Sequence, residues 1–436
     1  MTRDEFLNLY AKLTSKLSDS ELEQLHNLLC KFEIEKEDLR ILDAFYMPNG
    51  DTKVPAIEEL TPSQMKYELR NIFVLLRNNY SGYDFFNRNN ELDRLKLNLE
   101  EKINKINTNI KTKEFIELLS KELNSVIKDN HIYFECNGEV FETGISVVPY
   151  FTDVVVYEKN NQLIVENDND YFSKGYVIKQ NIDKYLFKTL PGKNERFLIG
   201  MLIDVNTDDT NAIDIDGISI SLHKSRCADI RFNELNHFID YGYYKTLILT
   251  KCKMQDDIDY KEWGKQLLDG KCAVISVVGN PGGSSIMCSQ IIEGLNGNGV
   301  WNVMLSSINV YQNTGIPYRY YSSGENNSTV DGKYDKKLYI LMNKNTASAG
   351  ESLVSISNNV KNVIKVGTNT MGCGEFGESL SYVLPQSHVT IHLPYKVFYM
   401  EGFHEGIGFY PDYWLDDENI IEVFNDWLQR KVNGDF

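Results

Sequence analysis

At 436 residues, with 42% hydrophobic and 25% charged residues, the chain has the composition of a globular protein and is long enough for two or three domains. Its 62 acidic against 45 basic residues leave a formal charge of -17, which repels phosphate backbones and anionic lipid surfaces and argues against nucleic acid and membrane partners. Seven cysteines without a C-x-x-C pair argue against a disulfide framework and a zinc site, and no metal or cofactor is expected.

The opening MTRDEFLNLYAKL lacks a basic stretch followed by an apolar one, and no window offers about 18 uninterrupted apolar residues, so the expected location is cytoplasmic. Residues 1–132 read as a helical module. Thr2 with Glu5, and Ser18 or Ser20 ahead of Leu22, Leu25, Leu28, Leu29 and Phe32, give caps followed by an apolar stripe. Thr61-Pro62 predicts a helix start, with Met65, Leu69, Ile72, Phe73 and Leu76 on its buried face. Thr112 opens another helix carrying Phe115, Ile116, Leu119, Leu123 and Val126, which ends before Asp129-Asn130-His131.

Residues 133–242 change to short β-like runs separated by Asn, Asp and Gly, predicting a β-rich middle domain. Its aspartates between Asp204 and Asp216 lack the spacing of a calcium loop and read as solvated acidic turns. From residue 243 to 436 strands and helices alternate: TLILTKC, Tyr260 to Leu268, CAVISVV, Ser284 to Leu295, LYILM, Ser348 to Val360, then VIKVG. The fold class is therefore α/β with a largely parallel core sheet, closed by HVTIHLPYKVFYM with Val389, Ile391 and Leu393 inward.

Two stretches in this last region carry chemistry. VVGNPGGSS, Val277 to Ser285, follows a strand, and its glycines let backbone N–H groups approach a phosphate or an oxyanion. NKNTASAGE places Ser348 at a strand-to-helix junction, where S-x-x-E with Glu351 equally spells a capping box. GNPGG ends 65 residues before Ser348, and GIGFYPD, Gly406 to Asp412, lies about 60 residues after it.

VVGNPGG, TASAGE, GTNTMGCG and GIGFYPD, in this order, resemble four motifs of the tail-specific, or C-terminal-processing, serine peptidases with their tricorn-core and retinoid-carrying relatives. The resemblance covers roughly Tyr243 to Leu428 and implies a crotonase/ClpP-like protease core. It implies Ser348 as the nucleophile, at a helix N-terminus that favours negative charge, with an oxyanion hole from Ala349 and Gly282 or Gly283. The lysine that serves as base in the commonest bacterial branch is replaced by Cys373, read as a small filler in a glycine turn. The tricorn-like branch uses a histidine and a glutamate instead, which points to His131 as base and Glu405 as its partner. His404 and His392 are rivals, His392 being expected on a solvated face, and Asn130 is a candidate positioning residue. Tyr318, Tyr320 and Tyr321 are candidates to line a groove for an extended peptide.

The middle domain stands where many family members carry a peptide-binding PDZ module, here without a recognisable carboxylate loop and so at most degenerate. The implied partner is a peptide or unfolded protein, and a homo-oligomer is left open. Two other readings exist: a catalytically silent binder of peptides or apolar ligands on the same scaffold, and an acyl-CoA enzyme of the crotonase type, which Ser348 and its flanking motif disfavour.

Overall fold

The computed structural model describes residues 36–45, 54–144, 146–205, 208–232, 234–297, 303–306, 321–322 and 332–434. The caps and stripe expected before residue 35 lie outside them. Two compact units account for the chain, one comprising Met1–Ile145, Asn302–Asn326 and Glu375–Glu401, the other Ser146–Trp301, Asn327–Gly374 and Gly402–Phe436.

In the first unit, helix Pro62–Asn79 starts as expected. Thr61 Oγ1 accepts the Gln64 N–H at 3.3 Å, and Gln64 Oε1 accepts the Thr61 N–H at 3.0 Å, satisfying two donors that the helix cannot. Met65, Leu69, Ile72, Phe73 and Leu76 are buried, together with Phe115, Ile116, Leu119 and Leu123 of helix Thr112–Val126. These faces pack on a six-stranded antiparallel sheet in which strand Thr390–Tyr399 pairs with Val303–Ser306, Tyr133–Cys136 and Phe376–Val383. Val389, Ile391 and Leu393 point into that core as the alternation predicts. The fully buried Glu68 carboxylate accepts the N–H groups of Gln386 and Ser387, fastening the helix to the turn before this strand.

The helical module is therefore not closed by residues 1–132. Its helices bury their apolar faces only by recruiting Tyr133–Glu142 and two later segments, because a helical stripe needs a partner layer.

The second unit is built on an eleven-stranded sheet. Strand His237–Asp240 lies antiparallel to Lys245–Ile248, after which Cys272–Ser276, Lys337–Met342, Val363–Gly367, Tyr413–Trp414 and Leu186–Thr189 run parallel. Arg196–Asp204, Val147–Lys159 and His223–Lys224 then continue the sheet in antiparallel order. All five residues of Cys272–Ser276 are buried, as a parallel strand covered on both faces requires. The expected middle domain, 133–242, is thus corrected: its first hairpin belongs to the other unit, and its remaining long strands extend the core sheet rather than forming a separate body. The backbone supplies the reason, since Thr189 pairs in register with Trp414 and so joins the two stretches edge to edge. Exposed Asp208 accepts the Thr210 N–H within its turn, whereas half-buried Asp216 accepts the Lys179 and Gln180 N–H groups and the Tyr176 hydroxyl from a distant stretch of chain. Among the described residues no helix is long and apolar enough to cross a membrane.

Ile340, fully buried in Lys337–Met342, is packed from both faces. Ile340→Ala should lower stability by about 2–5 kcal/mol, read as a lower urea midpoint in the transition that reports the second unit.

Candidate active site

Three neighbouring parallel strands end in the loops that carry the motifs. Cys272–Ser276 leads into Gly279 to Gly283, Lys337–Met342 into Asn343 to Ser348, and Val363–Gly367 into Thr368 to Gly374. Converging on the carboxyl ends of adjacent strands is where open α/β sheets place ligands. The first two loops are laced together. Asn343 Oδ1 accepts the Gly279 N–H at 2.8 Å, Thr346 Oγ1 donates to Val277 O at 2.7 Å, and the Ala347 N–H donates to Asn280 O at 2.9 Å.

Ser348 caps helix Ala349–Ser357 with φ 49° and ψ -115°. A residue with a Cβ avoids this region, at a cost of about 1–3 kcal/mol, so a serine held there is more than an ordinary helix start. Gly282 explains how the first loop comes so close. It has φ +104°, and a Cβ there would stand 2.7 Å from Ser348 Cβ and 3.1 Å from the Ala349 nitrogen. The Gly282 N–H is already used, donating to Asn280 Oδ1 at 2.9 Å. The amides of Gly283 and Ala349 donate to nothing among the described residues, Ala349 because it is the first residue of its helix.

Glu351 holds this geometry. Its carboxylate is fully buried and accepts the N–H groups of Ser348 at 3.1 Å, Gly372 at 2.7 Å and Cys373 at 2.9 Å, and the Thr370 hydroxyl at 2.6 Å. Burial pushes the carboxyl above its ordinary range, against these bonds and the charge of Lys344. Lys344, in the loop after Lys337–Met342, has no local sequence pattern that marks it as a site residue. It is buried, and its ammonium donates to Met371 O at 2.8 Å, Thr370 O at 3.4 Å and Gly406 O at 3.5 Å. Burial pulls it down to about 8, opposed by Glu351, Cys373, Glu405 and Asp204. Cys373 is buried in the same loop. Glu405 is buried too, and Oε2 accepts the Gly374 N–H at 3.3 Å. Its neighbour His404 is exposed.

His131 belongs to the first unit, as does Asp129. Asp129 is fully buried; Oδ1 accepts the His131 N–H at 2.7 Å and Oδ2 the Tyr80 hydroxyl at 2.8 Å. Burial raises its carboxyl to about 7, and burial lowers the His131 imidazole to about 4. The preceding helix ends at Val126, so Asp129 fixes the backbone of His131 without help from the helix end. His392 differs from expectation: it is half-buried, stacked on Tyr133 at 4.1 Å and hydrogen-bonded to Ser381 at 3.0 Å. Asn130 sits against Gly144 in the same unit. Tyr318 and Tyr320 lie outside the described residues; Tyr321 is in strand Tyr321–Ser322.

Residues 249–414, which contain all three motif loops, match the model of peptidase family S41. No curated protein matches the sequence. Among solved structures, the chain is similar to a peptidase from Parabacteroides merdae ATCC 43184, at 13% identity and TM-score 0.46, over 85% of this chain and 98% of that one. It is similar to mature CPAF complexed with lactacystin at 11% identity and TM-score 0.42, over 85% and 97% of the two chains. A photosystem II D1 C-terminal processing protease matches at 14% identity and TM-score 0.38, over 82% of this chain and 94% of that one.

Within the second unit, Gly282→Ala adds both a strained φ and a collision with Ser348, whereas Gly175→Ala, at φ +84° with no atom within 4 Å of the new Cβ, adds only the strain. Gly282→Ala should cost about 1–3 kcal/mol more than Gly175→Ala, read as the difference between their thermal midpoints against wild type.

Proposed function

We propose that the chain is a serine peptidase that hydrolyses peptide bonds through an acyl-enzyme on Ser348. The observation that carries this reading is the strained Ser348 backbone, with the Gly282 backbone against its Cβ and two unclaimed amides beside it. In this mechanism Ser348 Oγ attacks the scissile carbonyl carbon. The carbonyl oxygen takes up the negative charge and accepts hydrogen bonds from the Gly283 and Ala349 amides, at the positive end of helix Ala349–Ser357. Of the glycines expected in this role, Gly283 is preferred, because the Gly282 N–H is committed to Asn280.

His131 is assigned as the base that takes the hydroxyl proton and returns it to the leaving amine, with Glu405 stabilising the imidazolium. An imidazole held down to about 4 stays neutral at pH 7 and is therefore ready to accept a proton. Lys344 keeps a positive charge near Glu351 and Glu405, and the carbonyls it bridges tie the Thr370–Met371 turn to Gly406. The substrate class is a peptide or an unfolded protein in the cytoplasm, and Tyr318, Tyr320 and Tyr321 are kept as candidate groove residues. No metal or cofactor enters the proposed steps.

A fluorophosphonate probe should label the wild-type chain and leave Ser348→Ala unlabelled; absence of label on both would favour a silent binder over a peptidase. The pH profile of kcat/KM offers a separate check on the base. The neutral imidazole is the active form, so activity should persist as pH falls through 6.5 and be lost near about 4. An acid limb unchanged in His131→Ala would remove His131 from the base role.

A further inference from the structure

Against the GNPGG loop, within the second unit, lies a cavity of about 460 Å³. Gly279 and Pro281 of that loop form one wall. Phe232, Ile258 and Trp263 supply an apolar lining, and Leu235, 81% exposed, stands at the lip. Such a combination of apolar wall and adjacent polar groups is typical of a site that accepts a side chain.

The charges around it are one-sided. Arg231, Lys251 and Lys253 line the cavity against a single acid, Glu234, in a chain whose formal charge is -17. All three cations are exposed, and among the described residues none of them forms an ion pair. Their placement follows from the backbone. Lys251 and Lys253 flank the buried Cys252 in an extended segment, so both project to the same side, and the Cys252 N–H donates to Gly282 O at 3.0 Å. Asn236 clasps this segment, its Oδ1 accepting the Thr250 N–H at 2.8 Å and its Nδ2 donating to Lys251 O at 2.8 Å. Arg231 reaches toward the nucleophile loop, donating to Asn345 Oδ1 at 3.2 Å. The cationic rim is thus hydrogen-bonded at both ends to the loops that hold Gly283 and Ser348.

We propose that this cavity is a substrate subsite for an acidic peptide segment, seating an apolar side chain against Trp263 and Ile258 while flanking carboxylates meet Arg231, Lys251 and Lys253. Fixed cations at a groove that opens beside the oxyanion loop attract such a segment and disfavour a basic one, in an ionic-strength-dependent manner. This inference rests on the serine peptidase reading, since it supplies that site with a substrate class.

The test uses the full-length chain with Ser348→Ala, so that binding is read without turnover. Fluorescently tagged peptides with one phenylalanine flanked by glutamates, or by lysines, are titrated by anisotropy. The glutamate peptide should bind on the order of tenfold more tightly at low salt, an advantage that shrinks as salt screens the rim. Lys251→Glu with Lys253→Glu should invert the preference, and Lys251→Gln with Lys253→Gln, a milder change if the reversal unfolds the chain, should remove it. Equal binding of the two peptides, or a preference untouched by either double variant with an unchanged thermal midpoint, overturns the proposal. A fluorophosphonate-silent wild type that still prefers the glutamate peptide would sink the peptidase reading alone, whereas a labelled wild type without preference would sink the subsite alone.

Discussion

The hydrogen bonds of one buried carboxylate fix the candidate site. Glu351 stands in the first turn of helix Ala349–Ser357 and accepts three backbone N–H groups and a hydroxyl. One of those groups belongs to Ser348, whose dihedrals would relax toward an ordinary cap without a strong acceptor to hold them. The others belong to Thr370, Gly372 and Cys373, so the same carboxylate sets the loop that follows the next parallel strand. A partly satisfied carboxylate at zero exposure would be costly, and this one has its oxygens shared between both loops.

Around this centre the second unit uses side-chain amides where a shorter loop would use backbone. Asn343 and Asn280 are fully buried, and each bonds to the opposite loop or to a neighbouring strand end: Asn343 to Gly279 and Cys227, Asn280 to Leu249 and Gly282. Asn280 thereby engages the Gly282 amide, while the Gly283 amide has no acceptor among the described residues. Lys344 then places a cation among Glu351, Glu405 and Asp204, which lets several acids share one interior without mutual repulsion dominating. The arrangement is rigid because nearly every polar atom in it has a named acceptor or donor.

Much of this was legible in the sequence, for identifiable reasons. Strands such as CAVIS are continuous apolar runs between glycine turns, and the helices start at Thr61-Pro62 and Thr112, so local patterning fixed their type. The order of the four motifs pointed to the loops that meet at Ser348. What could not be read were facts of long-range pairing. The register of Thr189 on Trp414, which makes the middle strands part of the core sheet, leaves no local trace. Nor does recruitment of Phe376–Val383 and Thr390–Tyr399 by the N-terminal helices. Lys344 leaves no signal because an isolated lysine reads as a surface residue until its burial is known, and the expectation of a solvated His392 fails because Tyr133, which stacks on it, is 259 residues away in the chain.

Glu351 both belongs to the capping box of helix Ala349–Ser357 and, through the Ser348 N–H, holds Ser348 at its strained φ. The most direct measurement is the rate at which a fluorophosphonate labels Glu351→Gln relative to wild type, with the thermal midpoint taken in parallel. An amide in place of the carboxylate turns a donor toward donors and costs about 1–3 kcal/mol locally, so labelling should fall steeply in a chain that remains folded at assay temperature. Wild-type labelling by a folded Glu351→Gln chain would contradict the account, for Ser348 would then be poised by something other than this carboxylate.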